Sequence, residues 1–181
     1  MAWTTIPTFV AGQVLTAAQM NAVGGDLNAL RGDFDRSTYS AGNLTLNSTA
    51  WANLSGPADL TLAASSGDVI EASISLLWGN EAVTGYLDVV TVVSGSPVNA
   101  LSTGAAPAAG DLGVLCWYGT SSILMPAGGS VFYTLAAGDI SGGNVTLRLR
   151  YRTLTAANKT VYGGATTVQQ FAARNHGPVQ V

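Results

Sequence analysis

Residues 69–78 read VIEASISLLW and residues 144–152 read NVTLRLRYR, and these two stretches decide the fold. In the first, Ile70, Ala72, Ile74, Leu76 and Trp78 fall on one face, with Glu71, Ser73 and Ser75 on the other. In the second, Val145, Leu147, Leu149 and Tyr151 oppose Thr146, Arg148, Arg150 and Arg152. An apolar period of two sets successive side chains on opposite sides of an extended chain, so both stretches read as half-buried antiparallel strands.

Working outward, strands are predicted at 84–93, 113–118, 121–125, 130–135, 160–162 and 166–174, with shorter ones at 44–46, 50–53 and 60–62. Turn chemistry separates them at 79–80 (Gly-Asn), 94–97 (Ser-Gly-Ser-Pro), 126–129 (Pro-Ala-Gly-Gly) and 141–144 (Ser-Gly-Gly-Asn). The Ala/Gly/Pro-rich stretch 95–110 is too long for a tight turn and reads as a surface loop. Short strands joined by uneven connections imply an all-β, jelly-roll-like antiparallel β-sandwich in preference to an up-and-down barrel.

The first forty-odd residues follow other rules. Trp3, Ile6, Pro7, Phe9 and Val10 show no helical period and read as an extended arm presenting apolar side chains. A helix start follows. Thr16 and Gln19 have capping-box spacing, and Leu15 and Met20 occupy the positions of a hydrophobic staple. Met20, Val23, Leu27 and Leu30 are spaced three, four and three, the seam of a coiled coil, interrupted by Gly24-Gly25 at about 1 kcal/mol of helix propensity each. So short a helix needs something to pack on: copies of itself, a host surface or its own β domain. The stretch RGDFDRSTYSAGN (31–43) passes from charged to small polar residues and reads as a linker, with Gly32 as a helix C-cap. The expected organisation is an anchoring and oligomerising arm and helix at 1–36, a linker at 37–43 and a displayed β-sandwich at 44–181.

Charged residues make up only 9% of the 181, against about 25% in an average soluble protein, and Lys159 is the sole lysine. Surface charge is what keeps free monomers soluble, so a chain this neutral is expected to be covered by partners. Its net charge of −3 gives no polyanion-binding footprint, which argues against nucleic acid and anionic membranes as partners. No run reaches the roughly 20 apolar residues of a membrane span, and the opening residues lack signal-peptide character, so synthesis in a cytoplasm is expected. Cys116 stands alone, which excludes an intrachain disulfide or a cysteine zinc cluster, and its setting in GVLCWYG reads as a buried strand.

Chemistry is sparse. His176, in RNHGPV, is the only histidine and reads as a turn or interface residue. There is no Gly-x-Ser-x-Gly elbow, no His-x-x-x-His and no acidic calcium loop. A glycosidase pair would need Glu71 or Glu81 to face another carboxylate, such as Asp88 or Asp111, about 5–10 Å away. No catalytic, cofactor or metal site is therefore expected. The pointed feature is the ladder Arg148, Arg150 and Arg152, three of seven basic residues on one strand face. It fits either a solvated face paired with neighbouring carboxylates or a contact with another subunit or an acidic host surface. Trp51, Trp78, Trp117, Tyr118 and Tyr151 read mainly as core, and the loops 79–85 and 95–112 are the place for any glycan.

The opening pattern W-T-x-P-T-F-V-A-G-x-x-L-T-A-A-x-x-N (Trp3 to Asn21), followed by DLNALRG (Asp26 to Gly32), resembles the N-terminus of small virion structural proteins of tailed bacteriophages, above all phages of actinobacteria and related hosts. These are minor tail, head-fibre and decoration proteins. The ending FAARNHGPV (Phe171 to Val179) is similar to a final strand of their β domains. The resemblance implies a non-enzymatic virion protein assembled in a host cytoplasm, anchored through Trp3 to Leu30 and forming homotrimers. Its partner would be the major capsid protein or another virion protein. The alternative it leaves open is a minor tail or tail-tip protein that binds a host surface glycan.

Overall fold

The computed structural model describes residues 14, 16–21, 23, 33–79, 81–117 and 125–178. In chain order its strands are β1 (Asp33–Tyr39), β2 (Leu44–Leu46), β3 (Ala52–Asn53), β4 (Leu60–Ala63), β5 (Asp68–Trp78), β6 (Gly85–Val93) and β7 (Ser96–Ala100). Then come β8 (Leu115–Trp117), β9 (Met125–Thr134), β10 (Ile140–Ser141), β11 (Asn144–Thr153), β12 (Lys159–Tyr162) and β13 (Gln169–Pro178). They form two sheets. The first runs β1-β13-β5-β12-β2, with β9 also on β5. The second runs β10-β11-β6-β7, with β3 and β4 on β11 and β8 on β6. Every strand pairing is antiparallel. The fold is an all-β two-sheet sandwich, and the chain crosses repeatedly from one sheet to the other.

The period-two reading holds at both diagnostic strands. Ile70, Ala72, Ile74, Leu76 and Trp78 of β5 face Val145, Leu147 and Leu149 of β11 across a core that also takes Leu87, Val89, Val161 and Phe171. Each is at most 6% exposed. Burying a side chain of this size contributes about 1.5–3 kcal/mol, and these residues dominate the stability of the sandwich.

Two buried carboxylates tie the layers together. Asp139, in the short 3-10 turn after β9, accepts from Thr91 Oγ1 (2.6 Å), Asn99 Nδ2 (2.8 Å), Tyr133 OH (2.8 Å) and the Ala136 N–H (2.8 Å). It thereby joins β6 and β7 of one sheet to β9 of the other. Asp68 accepts from Asn175 Nδ2 at 2.9 Å, and the same amide group donates to the Ala63 carbonyl at 2.8 Å.

Four expectations need correction. Of the stretch 37–43 only 40–43 is a connection, because 37–39 are strand and the β domain begins before residue 44. Residues 33–39 pair with β13 from Asp33↔Asn175 to Tyr39↔Gln169. The polar residues that suggested a linker are structural acceptors. Asp33, Asp35 and Ser37, every second residue, take the backbone N–H groups of Ala63 (2.6 Å), Thr61 (3.0 Å) and Ala58 (2.7 Å). They blunt the open edge of β4, which would otherwise offer unpaired donors to another chain.

The stretch 95–110 is a loop only in part. Ser94 and Gly95, both at positive φ (50° and 82°), make the two-residue hairpin turn that returns β7 against β6. The Pro-Ala-Gly-Gly run 126–129 lies within β9 and makes no turn. A Cβ on Gly128 would stand 3.0 Å from the Ile74 carbonyl oxygen, and one on Gly129 3.0 Å from that of Val114, so these glycines serve close backbone approach. Cys116, on β8, is exposed where its apolar neighbours suggested burial, and its pKa is raised because partial burial outweighs the nearby Arg152 and a hydrogen bond with Tyr86.

Candidate functional site

The helix start forms as its spacing predicts. Thr16 Oγ1 accepts the Gln19 N–H at 3.2 Å, Gln19 Oε1 accepts the Thr16 N–H at 3.0 Å, and the first helical bond runs from the Met20 N–H to the Thr16 carbonyl. Residues 17–21 are helical. Val14, before the helix, is 87% exposed and Met20, within it, 59%, while Val23 is half-buried. The arm residues Trp3, Ile6, Pro7, Phe9 and Val10, the staple residue Leu15, and the seam residues Leu27 and Leu30 lie outside the described residues, as do 118–124.

The arginine ladder is resolved by burial. Arg148 holds Asp59 in a bidentate pair, Nε to Oδ1 at 3.0 Å and Nη2 to Oδ2 at 2.7 Å, and also donates to the Gly95 carbonyl. Two residues on, Arg150 is 3% exposed. Its Nη2 donates to Asp88 at 2.6 Å and to Asp111 at 3.0 Å, and its guanidinium lies 4.1 Å from the centre of the Trp51 ring. Arg152 donates to the Asp111 carbonyl and stacks on Tyr86 at 4.4 Å. The subunit-contact reading therefore fails for Arg150, whose charge is consumed inside its own chain.

What buries Arg150 is the segment 101–114, which straps over the outer face of the second sheet. Ser102 Oγ donates to Asp88, Trp51 Nε1 donates to the Ala108 carbonyl, and Asp111 closes on Arg150. Gly113, at φ +73°, lies so close to the Leu87 carbonyl that any side chain there would overlap it. Between β6 and β7, Val90, Val92 and Ala100 form a second small apolar cluster. Asp88 and Asp111, each weighed above as a partner for Glu71 or Glu81 in an acid pair, are thus spent on one guanidinium, and the stretch 95–112 is closed down on the sheet. Trp51 belongs to this clamp and Trp78 to the core. Lys159 is fully buried beside Trp78, with Nζ donating to the Gly79 and Glu81 carbonyls at 2.9 and 2.8 Å.

The outer face of the first sheet is the opposite case. Cross-strand partners point to the same side, so one row runs Phe34, Arg174, Glu71, Phe132 across β1, β13, β5 and β9. The next runs Arg36, Ala172, Ser73, Ser130, and a third Thr38, Gln170, Ser75, Gly128. Small residues floor the centre, and Phe34 and Phe132, 53% and 63% exposed, flank it. His176 reaches Glu71 at 3.0 Å and packs on Phe132, with ring centres 5.9 Å apart. Of this face only Glu71, Ser73 and Ser75 were placed by their alternation, because its edge strand reads as a linker. The signal was present in DFDRSTY, where Asp33, Asp35 and Ser37 alternate with Phe34, Arg36 and Thr38.

Among the described residues no three His, Cys, Asp or Glu side chains converge to hold a metal ion, and no helix is long and apolar enough to cross a membrane. No protein-family model matches the chain, and no curated protein matches it. Among solved structures it is similar to that of Eiger TNF from S. frugiperda, at 10% identity over 82% of this chain and 96% of that one, with a TM-score of 0.41.

Proposed function

We propose that this chain is a non-enzymatic structural protein of a tailed-phage virion, a capsid-surface decoration or head-fibre protein that forms trimers and attaches to the assembled shell through its N-terminal arm. The observation that carries the proposal is the opening segment. The phage-like pattern from Trp3 to Asn21 includes a helix start whose capping box is made and whose Val14 and Met20 stand in solvent. The scarcity of surface charge and a sandwich whose edge is blunted by its own carboxylates suit a protein held in a lattice by apolar contacts.

The action would be mechanical. A protein that binds only the assembled shell shifts the assembly equilibrium toward it by mass action, and repeated sites multiply the effect. Immunogold labelling of intact particles with antibody against residues 40–181 tests this. Label over the head is the expected result. Label confined to the tail would replace this reading with that of a tail protein binding a host glycan, and unlabelled particles would remove the virion reading. Sedimentation equilibrium of the full chain tests the trimer, which a monomer at all concentrations would refute.

A further inference from the structure

We infer that the outer face of the first sheet is a docking surface for an acidic protein surface. The inference is independent of the virion reading and begins from where each charge is spent. Arg148, Arg150 and Arg152 each engage a carboxylate or carbonyl, and Lys159 engages two carbonyls. Among the described residues, the two cations that no carboxylate or carbonyl engages are Arg36 and Arg174. Both are exposed, and they sit on adjacent strands of this one face, where Arg36 pairs with Ala172 and Arg174 lies two residues along. Arg174 is set only against the Phe34 ring, at 5.9 Å.

The occupant must bring its own negative charge. Every described Asp and Glu side chain already accepts a hydrogen bond within its own chain, Glu71 of this face through His176. A second copy of the chain could offer only carboxylates that already hold an internal partner, whereas a separate acidic surface offers free ones. The shape argues against a small molecule. The hollow bounded by Phe34, Glu71, Ser73, Ala172 and Arg174 holds about 180 Å³ and is open, whereas small ligands are buried in clefts of about 300–1,000 Å³. Exposed aromatics and arginines, which Phe34, Phe132, Arg36 and Arg174 supply here, are side chains enriched at protein interfaces.

The test is heteronuclear NMR of the full chain titrated with a designed helical peptide presenting Glu and Leu on one face. A Gln counterpart of the peptide and an oligogalacturonate serve as comparison probes. The expected result is saturable shifts centred on Phe34, Arg36, Ser73 and Arg174. An Arg36→Gln/Arg174→Gln double variant, and the Gln peptide, should each weaken binding about tenfold or more, while Arg148→Gln leaves it unchanged. Unaltered melting of the variants checks their fold.

Four results would overturn the inference. Shifts scattered over the chain or centred near Arg148 would do so, as would a double variant that binds like the parent. Oligogalacturonate moving these resonances while the peptide moves none would make the face an acidic-sugar site. Finally, a full-chain oligomer that the double variant dissociates would make a second copy the occupant.

Discussion

Arg148 and Arg150 are the same residue type two positions apart on the same strand face, yet their removal should differ several-fold in cost. The side chains of Arg148 and Asp59 are 21% and 36% exposed, so Arg148→Met gives up a pair that water largely replaces, at about 0–1 kcal/mol. The side chains of Arg150 and Asp88 are 4% and 0% exposed. Arg150→Met leaves the Asp88 carboxylate buried with only the Ser102 hydroxyl and the Val89 N–H, both at 2.9 Å, and no counter-charge. Stranding a buried charge costs about 3–5 kcal/mol. For a chain of this size about 1 kcal/mol moves Tm by roughly 2–4 °C, which makes about 6–20 °C for Arg150→Met and no more than about 4 °C for Arg148→Met. Urea titration followed by tryptophan fluorescence gives both values on one scale. Because the cost comes from the orphaned carboxylate, Arg150→Met/Asp88→Leu should recover most of the loss. Equal losses for Arg148→Met and Arg150→Met, or a double variant no better than Arg150→Met, would refute the reasoning.

Three further outcomes are expected. Asp139→Asn turns an amide N–H₂ toward donors that now meet a carboxylate oxygen, and it should lower stability by about 2–4 kcal/mol in urea titration. Burial and the hydrogen bond to Asp139 push the Tyr133 hydroxyl up to about 12, above its unfolded value near 10. Its contribution is therefore full below about pH 10 and is lost as pH rises through about 12, so Tyr133→Phe should remove that alkaline fall from a stability–pH profile. Burial holds Lys159 below its ordinary value, with Glu81 opposing, so the stability of Tyr133→Phe should instead rise with pH just below about 10.5. Asp33→Ala/Asp35→Ala leaves the Ala63 and Thr61 N–H groups to water, and it should cost about 1–3 kcal/mol and raise light scattering through the opened β4 edge.

The legible strands were those with one wet and one dry face. β5 and β11 announce themselves because water on one side and the core on the other impose the alternation that the sequence carries. β6 was legible as a strand at 84–93 but its burial was not: it carries apolar residues on both faces, Leu87 and Val89 inward, Val90 and Val92 outward, and the strap 101–114 closes over Asp88 on its far side. Nothing local in an Ala/Gly/Pro-rich segment says that it will lie down on a sheet. β1 was missed for the converse reason. Its alternate residues are carboxylates serving as hydrogen-bond acceptors for a neighbouring edge, and a hydrophobic count does not register a polar face used that way. Gly128 and Gly129 misled because glycine marks a turn and a close backbone approach with the same letter. The arginine ladder was visible as a cluster, but its partners Asp88 and Asp111 lie 62 and 39 residues away, and that pairing is a property of topology.

The alternation in DFDRSTY could have given the edge strand, but not the docking face, because an unengaged cation is defined only once every other charge has been matched. The formal net charge of −3 describes a chain that would attract cations. Yet the described carboxylates are tied to guanidiniums, backbone N–H groups and hydroxyls, several of them beneath the strap or between the sheets. At physiological salt the Debye length is about 8 Å, so a partner in contact with the first sheet responds chiefly to the charges on that face. There Arg36 and Arg174 outnumber Glu71, whose carboxylate is already turned to His176. An acidic protein with few charges can therefore present a cationic face, provided its acids are used to hold the fold together. The whole-chain charge that argues against polyanions then says little about the contact this face would make.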